Sequence, residues 1–197
     1  MKNILYYIRI MIPIIAAAYF YLSSPATSLT DPISLAKSNE KKTDTLDPIE
    51  TVQKFILWYK DNKKYVYSFR LVHQVPDEDY RVNLDQCKSF LRFLQSSGYI
   101  SAIYTSLWWD YFQSRDIQFK EFPQNEGPPE GFDVDLVWLN QEPELIYSGS
   151  GDATWEVVYF DSLHAKVNMY LIWPYEIELS RVHGHWQIDY ISINDEP

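Results

Sequence analysis

Glu176-Ile177-Glu178-Leu179-Ser180-Arg181-Val182-His183-Gly184-His185-Trp186-Gln187-Ile188-Asp189-Tyr190-Ile191-Ser192-Ile193 is two alternating runs around a two-residue joint. Ile177 and Leu179, then Trp186, Ile188 and Tyr190, fall on one side of the alternation; Glu176, Glu178, Gln187 and Asp189 fall on the other. A period of two is the mark of a half-buried strand. His183-Gly184 leaves room only for a hairpin, so strands over 176–182 and 186–193 are antiparallel neighbours. The same pattern extends upstream. Trp155, Val157 and Tyr159 share one side of 154–160, and Val167, Met169, Leu171 and Trp173 share one side of 165–173, with short connections at Ser162-Leu163 and Pro174-Tyr175. Residues 133–139 are a further strand candidate. The second half therefore reads as a meander with one aromatic face and one polar face, and the aromatic face needs an apolar cover.

Helices ahead of it supply that cover. Asp47-Pro48-Ile49-Glu50 starts the first: Asp47 caps, Pro48 suits the first helical position, and Glu50 can bond back to the cap. Ile49, Val52, Phe55, Ile56 and Tyr59 recur at spacings of three and four until Asp61-Asn62. Asn83 or Asp85 caps a second helix bearing Cys87, Phe90, Leu91 and Leu94, ended by Ser96-Ser97-Gly98. A third runs from about Ser101, with Ile103, Tyr104, Leu107, Tyr111 and Phe112 as its stripe and Trp108 and Trp109 widening it. A loop over 123–131, rich in Gly and Pro, separates the halves. Helices followed by an antiparallel meander make an α+β domain of two layers, three N-terminal helices on a sheet.

The N-terminus predicts an address. Lys2 and Arg9 precede an apolar run over 10–22, followed by Ser23-Ser24-Pro25-Ala26, the layout of a secretory signal peptide over 1–26. The run is short for a membrane span, which needs about 20 apolar residues; an inner-membrane anchor through 4–22 is the alternative. Lipid attachment needs a cysteine after the run, and the single cysteine is Cys87. Residues 27–46 are polar and read as a flexible linker, leaving 47–197 as one domain. The expected destination is the periplasm or the medium. With Lys2 and Arg9 removed, 15 basic residues face 27 acidic ones, a net charge of −12. Such acidity opposes nucleic acid and anionic membranes as partners. A protein, a small ligand or a second copy docked through the sheet stays open. One cysteine permits no internal disulfide, so the core alone must hold the fold.

The last hairpin and the order of elements resemble the nuclear transport factor 2-like fold. More narrowly, Phe93-Leu94-Gln95-Ser96-Ser97-Gly98-Tyr99-Ile100-Ser101 and Glu126-Gly127-Pro128-Pro129-Glu130-Gly131-Phe132-Asp133-Val134-Asp135 are similar to bacterial exported proteins carrying domain of unknown function 3828. The resemblance covers about 47–194 and implies a curved sheet wrapped around the helices as a cone with a cavity between them. The wider superfamily uses that cavity for isomerases, dehydratases, ligand binding and protein contacts, so the fold leaves function open.

An enzyme in such a cavity needs an acid or base in a dry pocket and a donor for the developing oxyanion. The polar candidates are His73, His164, His183, His185, Asp110, Asp133, Asp135 and Asp161. The histidines at 164, 183 and 185 fall at turns. Asp133 and Asp135 can pair for acid/base or cation work, but beside a Gly/Pro loop their plainer role is loop hydrogen bonding. Asp110, beside two tryptophans, is the catalytic candidate. No metal-binding motif, phosphate loop or cofactor motif is present; His183-x-His185 lacks a third ligand. Seven tryptophans and sixteen tyrosines offer contact surface instead. Trp155 and Trp186 follow the buried alternation, and most aromatics read as core. Trp108 and Trp109 diverge by about 100° on a helix, so one of them stands at a rim. Trp108, Trp109, Trp155 and Trp186 are the binding candidates. The expectation is a non-catalytic envelope protein binding a partner or small ligand, one special case being an immunity-type inhibitor of a toxin; the alternative is a small isomerase, dehydratase or hydrolase.

Overall fold

A computed structural model of the chain describes residues 47–194. The segments expected as signal peptide (1–26), linker (27–46) or membrane anchor (4–22) lie outside the described residues. Among the described residues no helix is long and apolar enough to cross a membrane. The order is α1 (Pro48–Val66), β1 (Val72–His73), β2 (Arg81–Val82), α2 (Leu84–Ser96), α3 (Ala102–Glu121), α4 (Glu144–Gly149), then β3 (Thr154–Phe160), β4 (His164–Tyr170), β5 (Pro174–Val182) and β6 (His185–Ile193). This is an α+β arrangement of helices and one antiparallel four-stranded sheet in the order β3-β4-β5-β6. The two-residue pair β1–β2 and the short α4 carry too few residues to show a period, and the sequence reading passes over both.

Helix starts follow the capping chemistry. Asp47 Oδ1 accepts from the Glu50 amide at 2.7 Å, Asn83 Oδ1 from the Gln86 amide at 3.2 Å, and Ser101 Oγ from the Tyr104 amide at 3.1 Å. α1 runs past the expected stop at Asp61-Asn62, because Asn62 Nδ2 bonds back to the Trp58 carbonyl at 2.8 Å and Val66 gains burial one turn later. The stripe of α3 also differs. Tyr104, Phe112, Arg115 and Phe119 face inward, whereas Ile103 is exposed. The two terminal nitrogens of buried Arg115 are engaged by the Glu130 carbonyl, by Gln118 Oε1 at 2.5 Å and by the Glu130 carboxylate at 3.8 Å, while its Nε has no partner among the described residues.

Residues 133–139 do not form a strand. Asp135 Oδ1 accepts from the amides of Val137 and Trp138, and Leu139 adopts a positive φ of 55°, which folds the segment into a turn closed by a bridge between Asp135 and Asn140. The β5–β6 joint falls at His183-Gly184 as expected. Both residues have positive φ, 51° and 86°, the pair of values that a two-residue hairpin matched to strand twist requires. Pro174-Tyr175, expected as a connection, belongs instead to β5; β4 ends at Tyr170, so Leu171 and Trp173 lie in the turn between them.

Two bulges change which side chains face the core. Val157 pairs with Val167 but Tyr159 with Lys166, so Tyr159 is turned to the polar face and Phe160, opposite Ala165, to the covered one. Likewise Leu179 pairs with Ile188 but Glu178 with Tyr190, which turns Tyr190 outward and brings Ile191 and Ile193 inward. An extra residue in one strand shifts a period of two by one position. Core contacts between the layers come from Val52, Phe55, Ile56 and Tyr59 of α1, from Trp138, and from Val167, Met169, Ile177, Leu179 and Ile188 of the sheet, each at most 1% exposed.

Candidate functional site

The most elaborate polar arrangement lies at the border of the core, where the turn after Phe132 meets the second half of α1 and the residue that follows it. Asp135 sits at its centre. Its Oδ1 accepts the amides of Val137 at 2.9 Å and Trp138 at 2.8 Å; its Oδ2 accepts the hydroxyls of Tyr59 at 2.8 Å and Tyr67 at 3.2 Å. Tyr67 in turn lies 3.4 Å from the hydroxyl of Tyr147 on α4. Tyr59 is brought inward by the apolar spacing of α1, and Tyr147 by the burial of one side of α4.

Burial raises the Asp135 carboxyl above the ordinary carboxylate range, while bonds from Trp138, Tyr59, Tyr67 and Val137 pull it down. The tyrosines respond to the same surroundings. Tyr67 is pushed up to about 12, chiefly by burial, with the Asp135 charge adding to it. Tyr59 and Tyr147 are raised too, by burial first and by the Asp135 charge next. A carboxylate offers about four acceptor positions, and here all four are engaged. Proton abstraction from a ligand would first have to displace one of these donors. The arrangement ties α1 to the 132–140 turn and α4 more readily than it moves protons.

Two clefts flank Tyr67. One, of about 240 Å³, is walled by Val66, Phe69, Leu71, Phe90 and Leu136, with Arg70 at its edge. The other, of about 360 Å³, is lined by Asp133, Gln141, Pro143 and Glu144. They share Tyr67, Phe132, Val134 and Asp135 as a common wall. Asp133 Oδ1 is buried there without a hydrogen-bond partner among the described residues, and Glu144 meets Lys63 at 3.7 Å. The loop that carries this wall is pinned from behind. Tyr80 donates to the Gly127 carbonyl at 2.7 Å and Tyr111 to the Gly131 carbonyl at 2.8 Å.

Comparison with protein-family models, with curated proteins and with solved structures finds no match.

Asp110 is exposed on α3 and lines neither cleft. All four histidines are exposed. Asp161 is a turn residue: it accepts the Leu163 and His164 amides at 2.6 and 2.7 Å and the Tyr159 hydroxyl. Among the described residues no group of three His, Cys, Asp or Glu side chains converges to hold a metal. Trp186 is buried at 5% exposure; Trp108 is half-buried among Tyr104, Tyr111 and Phe112. Trp109 is likewise half-buried against the core, with Lys88 Nζ 4.9 Å from its ring centre. Trp155 is half-buried on β3. None of the four lines the clefts. Of the residues that do, Asp133 and Asp135 were visible as a carboxylate pair, but Tyr67 and Tyr147 carried no signal. Their placement depends on where α1 ends and on a helix too short to show a period.

Proposed function

We propose that the protein is an exported, non-catalytic binding protein of the bacterial cell envelope that holds a peptide segment of a partner in the clefts flanking Tyr67. The observation that carries this is the engagement of all four acceptor positions of Asp135. It leaves the best-placed carboxylate without a free site for acid/base work, beside walls suited to binding. The cleft of about 240 Å³ accepts an apolar side chain against Val66, Phe69, Leu71 and Phe90. The cleft of about 360 Å³, with the unpartnered Asp133 oxygen and Glu144, accepts a basic side chain. The net charge of −10 favours the same partner by steering. An inhibitor that shields its own cell from a basic toxin is one special case. Export rests on the signal-like segment over 1–26 alone.

The nuclear transport factor 2-like cone, and membership among exported proteins with domain of unknown function 3828, belong to the same proposal. Helices preceding an antiparallel meander support the cone, as do two bulges of the kind that bend sheets. Fully buried Trp138, Phe55, Met169 and Ile177 line the contact between the layers with apolar surface. That composition favours binding over the alternative of an isomerase, dehydratase or hydrolase, which needs an ionisable group at the base of an enclosed pocket.

The test is a titration of the isotope-labelled protein with an acetylated Leu-Ala-Lys peptide, followed by amide shifts. Saturable shifts confined to Tyr67, Phe132, Asp133 and Val134, lost in Asp133→Lys and weaker with Leu-Ala-Glu, support the reading. Shifts elsewhere only, no shifts, or equal response to both peptides would overturn it.

A further inference from the structure

The two edges of the four-stranded sheet are treated differently. The β6 edge is covered: the Ile188 amide donates to the Tyr99 carbonyl at 2.7 Å, the Ser101 amide to the Ile188 carbonyl at 3.1 Å, and Gln187 Nε2 to the Gly98 carbonyl at 3.1 Å. Among the described residues the β3 edge has no such cover, and its backbone pairs only with β4. An open edge presents unpaired amides and carbonyls to any strand that approaches, and folds commonly guard one with charge or proline.

β3 lacks these guards. Thr154-Trp155-Glu156-Val157-Val158-Tyr159-Phe160 contains no proline and one charge. That charge is drawn back over the neighbouring strand, where Glu156 Oε2 accepts the Tyr170 hydroxyl at 2.9 Å and lies 3.5 Å from Asn168 Nδ2. What the edge exposes is apolar: Val157 at 46%, Val158 at 51%, Tyr159 at 52%, Phe160 at 58% and Leu163 at 56%. These side chains occupy both sides of the strand. Val157 and Phe160 share the helix-covered face with Val167 and Ala165, and Tyr159 shares the other face with Lys166. The bulge at Val158 interrupts the ladder toward β4 without withdrawing any of them.

We infer that β3 is a self-association edge, at which two copies of this chain pair β3 with β3 in antiparallel sense about a two-fold axis. A two-fold axis sets a patch against itself, so the patch must be free of unpaired like charges. On β3 the two carboxylates nearest the patch are turned to partners within the chain: Glu156 toward Asn168 and Tyr170 of β4, and Asp161 toward the Tyr159 hydroxyl and the Leu163 and His164 amides. The exposed fractions of these five side chains amount to roughly 500 Å² per copy, so the pair buries at most about 1,000 Å², the size of a weak, concentration-dependent interface. The new ladder hydrogen bonds add to that burial. This inference is independent of the Tyr67 clefts, since no residue of β3 lines them.

Light scattering after gel filtration, and sedimentation over a range of concentrations, test it on the full chain. Wild type should dimerise. Val158→Lys, which sets two ammonium groups side by side at the axis and removes a buried valine from each copy, should weaken the dimer roughly a hundredfold with an unchanged circular dichroism spectrum. Ile117→Lys, at an exposed apolar position on α3, should leave it unchanged. Because two acidic copies repel, the dimer should strengthen as salt is raised. A monomer at every concentration overturns the inference, as does a dimer that survives Val158→Lys. Weakening by Ile117→Lys instead, or by salt, points to another surface or a basic partner and equally overturns it.

Discussion

Replacing Asp135 by alanine removes the acceptor of four donors at once, and the structure sets the size of the effect. Val137, Trp138 and Tyr59 are 1%, 0% and 1% exposed, so their two amides and one hydroxyl lose a partner with little route to water. Tyr67 is 48% exposed and returns to solvent at small cost. Three buried donors left unpaired, at about 1–2 kcal/mol each, give a loss of roughly 3–6 kcal/mol. That is a large share of the about 5–15 kcal/mol that holds an ordinary domain folded. Asp135→Asn behaves differently. Its carbonyl oxygen still serves the two amides, and the tyrosine hydroxyls can rotate to accept from its amide, so the expected loss is about 1 kcal/mol. Urea unfolding followed by tryptophan fluorescence measures both. The pH dependence gives a second reading. Because burial raises the Asp135 carboxyl above 3.8 in the folded state, the folded chain keeps that proton to higher pH than the unfolded one. The contribution of this carboxyl to stability therefore falls as pH rises from 3.8 through its folded value, and is flat above it. The stability of wild type relative to Asp135→Asn should decline across that window. Equal losses for alanine and asparagine would refute the account of Asp135 as a structural acceptor, and a relative stability that rises with pH there would refute the dominance of burial over its four donors.

Gly131 has a φ of 86°, and a Cβ there would lie 2.5 Å from Tyr111 Oη and 2.8 Å from Arg115 Nε. Gly131→Ala should lower stability by about 2 kcal/mol, from the positive φ together with the contact, and should perturb Tyr111 and Phe132 amide shifts; an unchanged melting midpoint would contradict it. Cys87 is fully buried and its thiol is pushed up to about 12 by burial, so a disulfide reagent should react only as fast as the domain opens. Rapid labelling at neutral pH without unfolding would show the α2 packing to be wrong. Asp161 is held down at about 2, first by the Tyr159 hydroxyl and then by the Leu163 and His164 amides. In Tyr159→Phe its carboxyl should titrate nearer 3.8 by carbon NMR, and the stabilising effect that wild type loses as pH falls from 3.8 through about 2 should shrink; an unmoved titration would remove the hydroxyl from the account.

The local code was legible wherever a short stretch settles its own structure. Asp47, Asn83 and Ser101 cap helices because a side-chain oxygen two or three residues from an orphan amide has few other options. His183-Gly184 makes the hairpin because both residues tolerate positive φ there. The alternation of β4, β5 and β6 names Val167, Met169, Ile177, Leu179, Trp186 and Ile188 as core, and all six are buried. Alternation fails at the bulges. One added residue at Val158 and another at Asp189 exchange the faces of Tyr159 and Phe160 and of Tyr190 and Ile191, a shift decided by pairing with the neighbouring strand.

The sequence by itself determined an acidic α+β chain with one cysteine, helices before a meander, and caps and turns fixed by contacts a few residues long. Only the tertiary structure decided that residues 133–139 turn back rather than extend, because Asp135 meets Tyr59 and Tyr67 from 76 and 68 positions away in the chain. It alone decided that Asp110 faces solvent, that Tyr67 divides two clefts, and that among the described residues β6 is covered while β3 is open. Caps and alternation follow from bonds between near neighbours in sequence. A cleft or a sheet edge is set by which distant segments pack against it, and no local pattern encodes that.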